Sequence, residues 1–273
     1  MKLVMAIVNY NSLSATKNML LSANNLQIKP DIYVLDNGNT IDLSEKGKLG
    51  DYYTGLLQVV NLPKNYGYFG AVSTFLSMHK GLYFDWLFIA NSDLVFIDPC
   101  VFNYLEDYTN GSNMDVGIYC PSIISAKTKI DQNPFLWNKP SKYYFYKYKA
   151  STSSYYLAKT YNRLSDIKTC LKKNMTNKRK TIKRAYEVFA PHGAFVGLNS
   201  IFFNRGGYIE SRNFLYCEEE ILGFICKRIN LKVIYDARAR VLHDEHIVTG
   251  SAYTKTKHAI RKKSFDILKE YIL

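Results

Sequence analysis

No apolar stretch of this 273-residue chain approaches the roughly 20 residues that a membrane-spanning helix needs. Cysteine is sparse. Cys100, Cys120, Cys170, Cys217 and Cys226 are odd in number and scattered, and no pair has metal-ligand spacing. That excludes a disulfide framework and a cysteine zinc site, and a reducing compartment is the simple reading. Glycine (15) and proline (7) are few, and there is no internal repeat or low-complexity tract. What remains is globular: 47% hydrophobic and 22% charged. The opening run Met1–Val8 has one Lys and no small-residue cleavage site before Asn9-Tyr10-Asn11. It therefore reads as a first strand rather than a leader.

Acidic residues are nearly missing from one segment. Residues 139–184 hold fourteen Lys/Arg and a single acid, Asp166, so this segment carries the entire net charge of +13 and the rest of the chain is neutral on balance. Tyr143, Tyr144, Tyr146, Tyr148, Tyr155, Tyr156 and Tyr161 are interleaved with these cations. Such asymmetry points to an anionic partner for one surface, either lipid headgroups or nucleic acid. The bland alternative is a solvated insertion that only repels itself.

The first part alternates strand and helix. Leu3–Val8, Asp31–Leu35, Leu56–Val60 and Trp86–Ala90 read as strands, with helices after Ser12 or Ser14 and from Asn65-Tyr66-Gly67-Tyr68-Phe69-Gly70 to about Tyr83. Repeated strand-helix units imply a parallel sheet with right-handed crossovers. Polar turns follow three of these strands: Asn9-Tyr10-Asn11, Asp36-Asn37 and Asn91-Ser92-Asp93. In a parallel sheet all three share one edge, where ligands bind. A carboxylate there suits a hard divalent cation, which in turn suits a diphosphate. Val116–Ile124 reads as another strand. Regular structure returns at Val188-Phe189-Ala190-Pro191-His192-Gly193, after a basic insertion over about 127–184. A helix is expected over Tyr216–Arg228, a strand at Val233-Ile234-Tyr235, and a basic helix from about Thr254.

Two further clusters carry chemistry. Glu218-Glu219-Glu220 puts three like charges in succession at an expected helix start, where the dipole favours acids; the functional reading is a general base. His243-Asp244-Glu245-His246 follows an apolar strand, and His243 there is either a metal ligand, a diphosphate contact or a surface imidazole.

Together these motifs resemble glycosyltransferase family 2, the inverting GT-A enzymes, in particular rhamnosyltransferase-like members of bacterial surface polysaccharide synthesis (capsule or O-antigen). The residues that carry the resemblance are Val8-Asn9-Tyr10-Asn11, Val34-Leu35-Asp36-Asn37, Asn65 to Gly70, Asn91-Ser92-Asp93, Phe214 to Glu220, and Val241-Leu242-His243. Asn91-Ser92-Asp93 is similar to the family's DxD-type metal motif, with Asn in place of the first Asp. Cys217-Glu218-Glu219 is similar to its acceptor-side motif, whose second acid is usually the base.

The resemblance implies an α/β, Rossmann-like, mostly parallel central sheet flanked by helices, as one GT-A domain over 1–273. Its parts would be a nucleotide-binding part over about 1–125, the insertion, an acceptor-side part over about 185–250 and the C-terminal helix over about 254–273. Asn9, Tyr10, Asn11, Asp36, Asn37, Asn65, Gly67 and Asn91 would serve the nucleotide, with Gly67 allowing close backbone approach. Asp93 and His243 would hold Mg2+ or Mn2+. His192 and Gly193 would line the donor-sugar and acceptor side. Glu219 would be the base, with Glu218 and Glu220 as the alternatives beside it.

The implied activity is transfer from a UDP- or dTDP-sugar to a saccharide acceptor, which the resemblance suggests is lipid-linked. The expected location is cytoplasmic, held at the inner face of a membrane by the insertion and by Lys255, Lys257, Arg261, Lys262 and Lys263. Two other functions compete. A sugar-phosphate nucleotidyltransferase usually shows a Gly-rich basic loop after its first strand, and Asn9-Tyr10-Asn11-Ser12 has neither Gly nor a cation. A nucleic-acid-binding protein would use the insertion with steep salt dependence, but that leaves the acidic clusters unexplained, so no nucleic acid is expected.

Overall fold

The computed structural model describes residues 1–109, 115–160, 184–245 and 253–272. Strands and helices alternate at first: β1 (Leu3–Asn9), α1 (Leu13–Ala23), β2 (Asp31–Asn37), α2 (Leu43–Lys48), β3 (Leu57–Leu62), α3 (Tyr68–Met78) and β4 (Trp86–Asn91). The two-residue β5 (Leu94–Val95), β6 (Val116–Ser125), α4 (Lys142–Ser153), β7 (Ala185–Val188) and β8 (Phe195–Asn199) follow. The chain closes with α5 (Ser200–Asn204), α6 (Glu218–Arg228), β9 (Lys232–His243) and α7 (Lys255–Ile272). Among the described residues the strands form one sheet in the order β3-β2-β1-β4-β8-β6-β9-β5, with β7 also paired to β9.

The half from β3 to β4 is parallel throughout, as the strand-helix alternation implies. Beyond β4 the sheet is mixed. β8 runs antiparallel to both β4 and β6, whereas β9 runs parallel to β6. β1 is buried at every position. Its Leu3, Met5 and Ile7 enter the core on one face of the sheet, while Val4, Ala6 and Val8 enter the core on the other. A strand covered on both faces has no polar side to show, which is why its sequence is a continuous apolar run.

Two helix boundaries differ from the sequence reading. α3 stops at Met78, short of Tyr83, because His79 leaves helical geometry and turns its ring back to the Phe75 carbonyl at 2.9 Å. α6 starts at Glu218 rather than Tyr216, because Tyr216 and Cys217 both adopt positive φ, 75° and 66°. Such a conformation is uncommon outside glycine, asparagine and aspartate. It makes a sharp entry that sets all three glutamates in the first helical turn.

The first part of the basic insertion is a docked helix. Ser141 caps α4 by accepting a hydrogen bond from the Tyr144 amide. Phe145 then meets Phe224 of α6, and Tyr148 stacks on Phe265 of α7 with ring centroids 4.7 Å apart. The basic run from Lys168 to Lys183, together with Tyr161, lies outside the described residues. So does His246.

Gly67 joins the two halves. Its φ is +79°, and a Cβ built there would lie 2.0 Å from the Phe214 carbonyl oxygen, in the segment leading into α6. The Tyr68 amide donates to that same oxygen at 3.3 Å. The close approach expected of Gly67 is therefore made to protein backbone. Gly206 has a similar φ of +87°, but nothing lies within 4 Å of its would-be Cβ. Chemical denaturation should accordingly separate strain from collision. Gly206→Ala should cost about 1 kcal/mol, and Gly67→Ala about 3 kcal/mol or more. Equal costs would show that Phe214 does not press on this position.

Candidate functional site

The parallel register brings the ends of β1, β2 and β4 to one level: Asn9 pairs with Asp36, and Val8 with Asn91. A cleft of about 350 Å³ opens above these ends. Among the residues singled out from sequence, Tyr10, Asn37, Asn65, Asn91, His192, Gly193, Glu218 and Glu219 line it. Asn9, Asn11, Asp36, Gly67, Asp93, Glu220 and His243 do not.

Asn9 is fully buried and stands behind the cleft. Its Oδ1 accepts from the hydroxyls of Ser12 and Thr16, and its amide donates to Thr40. Asp36 is likewise sealed. It accepts from the Thr40 amide and hydroxyl and from the Ile41 amide, and Lys46 Nζ lies 2.9 Å from it. Burial alone would raise its pKa; Lys46 and the two amides outweigh burial and hold the carboxyl below its usual range. Both residues, expected from sequence to serve the nucleotide, are fully buried and hydrogen-bonded to neighbouring side chains and backbone here. Asn37 is hydrogen-bonded as well. Its amide donates to Asn65 Oδ1 and the Gly67 carbonyl, and its Oδ1 accepts from the Tyr66 amide. Tyr10 stays 38% exposed on the rim of the cleft.

Asp93 lies just behind Ser92, which itself lines the cleft. The short β5 pairs antiparallel with the end of β9 and sets Leu94 opposite His243. That pairing places His243 Nε2 3.2 Å from Asp93 Oδ1. Yet Asp93 Oδ1 is buried and has no hydrogen-bond donor among the described residues; the contact is close but not aligned for a proton. The other imidazole nitrogen, Nδ1, is 2.8 Å from Gln132 Oε1. Gln132 is oriented by its own amide, which donates to Glu245. Nδ1 therefore donates to Gln132, and Nε2 is the nitrogen that faces the carboxylate. A carboxylate oxygen and an imidazole nitrogen side by side in a buried position are groups that could hold a hard cation. The Gln132–Glu245 contact is the supporting layer such ligands need.

His192 lies beside this pair, its ring 6.0 Å from that of His243. Burial, and secondarily His243, pushes its pKa down to about 4. Its Nδ1 accepts from the Ala194 amide at 3.2 Å, so the neutral ring carries its proton on Nε2. Asn133 fixes the segment, its Oδ1 accepting from the His192 amide at 2.7 Å.

The three glutamates diverge. Glu218 faces the first cleft, and Glu220 faces a second cleft beside α4. Glu219 lines both. Glu219 Oε1 accepts from the Gly193 amide at 3.3 Å, and a Cβ on Gly193 would lie 3.0 Å from that oxygen. The Tyr68 hydroxyl donates to the Gly193 carbonyl at 2.9 Å and steadies the same turn. Burial, then the Glu220 charge, raises the Glu219 pKa to about 7. Glu218 is raised further by burial and by Glu219. Tyr68, Gln132 and Asn133 went unnoticed in the sequence. Tyr68 sat inside a quoted motif without an assigned role, and the other two lie in a connecting loop that carries no pattern.

No family model matches the chain, and no curated protein matches it. Solved structures do. The S. aureus TarS fragment 1–349 is 10% identical over 89% of this chain and 60% of that one, with a TM-score of 0.54. Its complex with UDP-GlcNAc is 12% identical over 100% of this chain and 72% of that one, at 0.58. GalNAc-T7 with UDP, GalNAc and Mn2+ is 15% identical over 99% of this chain and half of that one, at 0.58. The mannosyltransferase PcManGT from Pyrobaculum calidifontis, with GDP-Man and Mn2+, is 9% identical over 99% and 74%, at 0.57. The chain thus spans between one half and three quarters of the chains in these structures, and 37% of a longer TarS structure. At such identities the likeness establishes the fold: a mixed α/β sheet flanked by helices, as in GT-A glycosyltransferases.

Proposed function

We propose that the chain transfers a sugar from a nucleoside-diphosphate sugar to a saccharide acceptor, with inversion at the anomeric carbon. The observation that carries this reading is Glu219, a carboxylate at the junction of two clefts. Ser92 and His192 line the first cleft, and the Asp93–His243 pair lies behind them, Asp93 next in the chain to Ser92 and the His243 ring 6.0 Å from that of His192. The nucleotide would lie in the first cleft, its base against Tyr10, Asn37 and Asn65. The sugar would face His192 and Gly193. The similar GT-A structures hold UDP, UDP-GlcNAc or GDP-Man, which supports a nucleotide sugar as donor.

Asp93 and His243 would hold Mg2+ or Mn2+, which supplies neutralisation of charge on the leaving diphosphate. Two protein donors suffice when phosphate oxygens and water complete the shell. Among the described residues no group of three or more His, Cys, Asp or Glu is placed to bind a metal. Neutral His192 directs its Nε2 proton as a donor without adding a buried cation. Glu219 accepts the proton of the acceptor hydroxyl as that oxygen bonds to the anomeric carbon and the bond to diphosphate breaks. Helix geometry favours Glu219 over its neighbours, because Glu218 sees only the donor side and Glu220 only the far side.

The outer face of α4 supports attachment to an anionic membrane. Tyr143 and Tyr146 are about 70% exposed, as are Tyr156 and, at 59%, Leu157 just beyond the helix. Lys142, Lys149 and Lys159 are exposed among them. No helix among the described residues is long and apolar enough to cross a membrane. Arg261 does not belong to this face. It turns inward over the Tyr148 ring at 4.8 Å.

Two experiments follow. In a screen of UDP-, dTDP- and GDP-sugars with Mn2+, the active donor should release nucleoside diphosphate. Asp93→Asn should abolish this, and Glu219→Gln should reduce it by about 100-fold or more. A carboxyl with a pKa of about 7 is protonated below that pH and cannot act as a base, so kcat/KM should rise with pH through about 7. Full turnover of Glu219→Gln with the same profile would remove it from the chemistry. For the membrane, vesicles containing phosphatidylglycerol should sediment the chain, and phosphatidylcholine vesicles should not. At about 1 kcal/mol per cation, the triple variant K142Q/K149Q/K159Q should bind on the order of 100-fold more weakly. Equal binding to both vesicle types would contradict an electrostatic surface.

A further inference from the structure

The second cleft has a volume of about 430 Å³ and shares Tyr216 and Glu219 with the first. Tyr144, Tyr148 and Ser151 of α4 form one wall, and Glu220 and Arg261 face them. Three features distinguish it from a packing gap.

Glu220 is 2% exposed, and its two oxygens are treated differently. Oε1 accepts from the Tyr144 hydroxyl at 2.6 Å. Oε2 is buried and has no donor among the described residues. A buried carboxylate oxygen left without a partner is costly unless a ligand supplies one. The Arg261 charge favours the ionised Glu220 but gives Oε2 no hydrogen bond, since its guanidinium lies on the Tyr148 ring and its Nε donates to the Tyr148 hydroxyl at 3.3 Å. The open rim carries Phe135, 40% exposed, and the exposed Lys147 of α4. Aromatic surface beside hydroxyl and carboxylate groups matches a sugar ring, with its apolar C–H faces and polar edge. Finally, the cleft adjoins Glu219 on the side away from the nucleotide.

We propose that this second cleft seats the acceptor as a pyranoside with at least two free hydroxyls, one presented to Glu219 and another donating to Glu220 Oε2. The inference rests on the transfer reading and extends it to the acceptor. Its consequence is that α4 selects the acceptor: the basic insertion is part of the substrate site as well as a surface. A site built to accept a hydroxyl proton discriminates sharply against analogues lacking that hydroxyl, because its own polar atom is then left unpaired.

The test uses the full chain and saturation-transfer NMR with methyl glycosides of glucose, galactose, mannose, rhamnose and N-acetylglucosamine. Glu220→Gln removes the open acceptor, and Ser151→Trp fills the cleft from α4. In parallel, the affinity for UDP and GDP with Mn2+ is measured on every protein. At least one glycoside should receive saturation from the wild-type chain, and its signal should fall at least fivefold in both variants, with nucleotide affinity within twofold of wild type. Absence of any glycoside signal in the wild-type chain overturns the proposal. So does a signal that persists in Glu220→Gln, even if Ser151→Trp fails to fold. The nucleotide arm reports on the transfer reading separately: wild-type chain that binds glycoside but neither nucleotide would overturn that reading.

Discussion

Asp93 Oδ1 and His243 Nε2 approach to 3.2 Å in a buried position, and Asp93 Oδ1 has no hydrogen-bond donor among the described residues. Much of the architecture converges on holding that arrangement. β4 delivers Asn91 to the sheet edge, and the turn that follows carries Asp93 into β5. β5 is only two residues long, yet its pairing with β9 sets His243 opposite Leu94. A backbone bond from the Asp244 amide to the Asp93 carbonyl, 2.9 Å, locks the same junction. Gln132 then holds Nδ1, leaving Nε2 toward Asp93, and Glu245 holds Gln132. A divalent cation at this pair would be held by a carboxylate oxygen and an imidazole nitrogen.

The same logic extends across the cleft. Asp93 and Glu218 to Glu220 gather four carboxyls at one end of the sheet. The macrodipole of α6 offsets part of this charge, and burial raises the pKa values of all three glutamates. His192 is held neutral, so it does not neutralise the cluster either. A protein arranged this way is poised for a ligand that brings cations with it and offers hydroxyl protons. A metal-bound nucleotide sugar and a saccharide meet both conditions.

Much of this was legible in the sequence, for identifiable reasons. β1, β2 and β4 end where an apolar run meets Asn or Asp, and a strand covered on both faces announces its end by that change. The grouping of their polar turns at one edge followed from parallel alternation alone. The individual roles were less visible. Asn9 and Asp36 are the right residue types at the right edge, but their hydrogen bonds to Thr40 turn them inward. Gly67 was expected to let backbone approach a nucleotide, and the atom that approaches it in the structure is the Phe214 carbonyl oxygen. Arg261 counted as one more surface cation until its stacking on Tyr148 placed it inside. The β5–β9 junction, Gln132 and Asn133 had no sequence signal, because each depends on a contact between segments far apart in the chain.

The central claim is that Asp93 and His243 are joint ligands of a divalent cation bound with the nucleotide. It is tested most directly by a crystal structure of the chain grown with Mn2+ and the nucleoside diphosphate it binds, recorded with anomalous scattering. The account predicts one Mn2+ peak in contact with both an Asp93 carboxylate oxygen and His243 Nε2, bridged to diphosphate. Nucleotide in the cleft with manganese absent from that pair, or held by other residues, would contradict it.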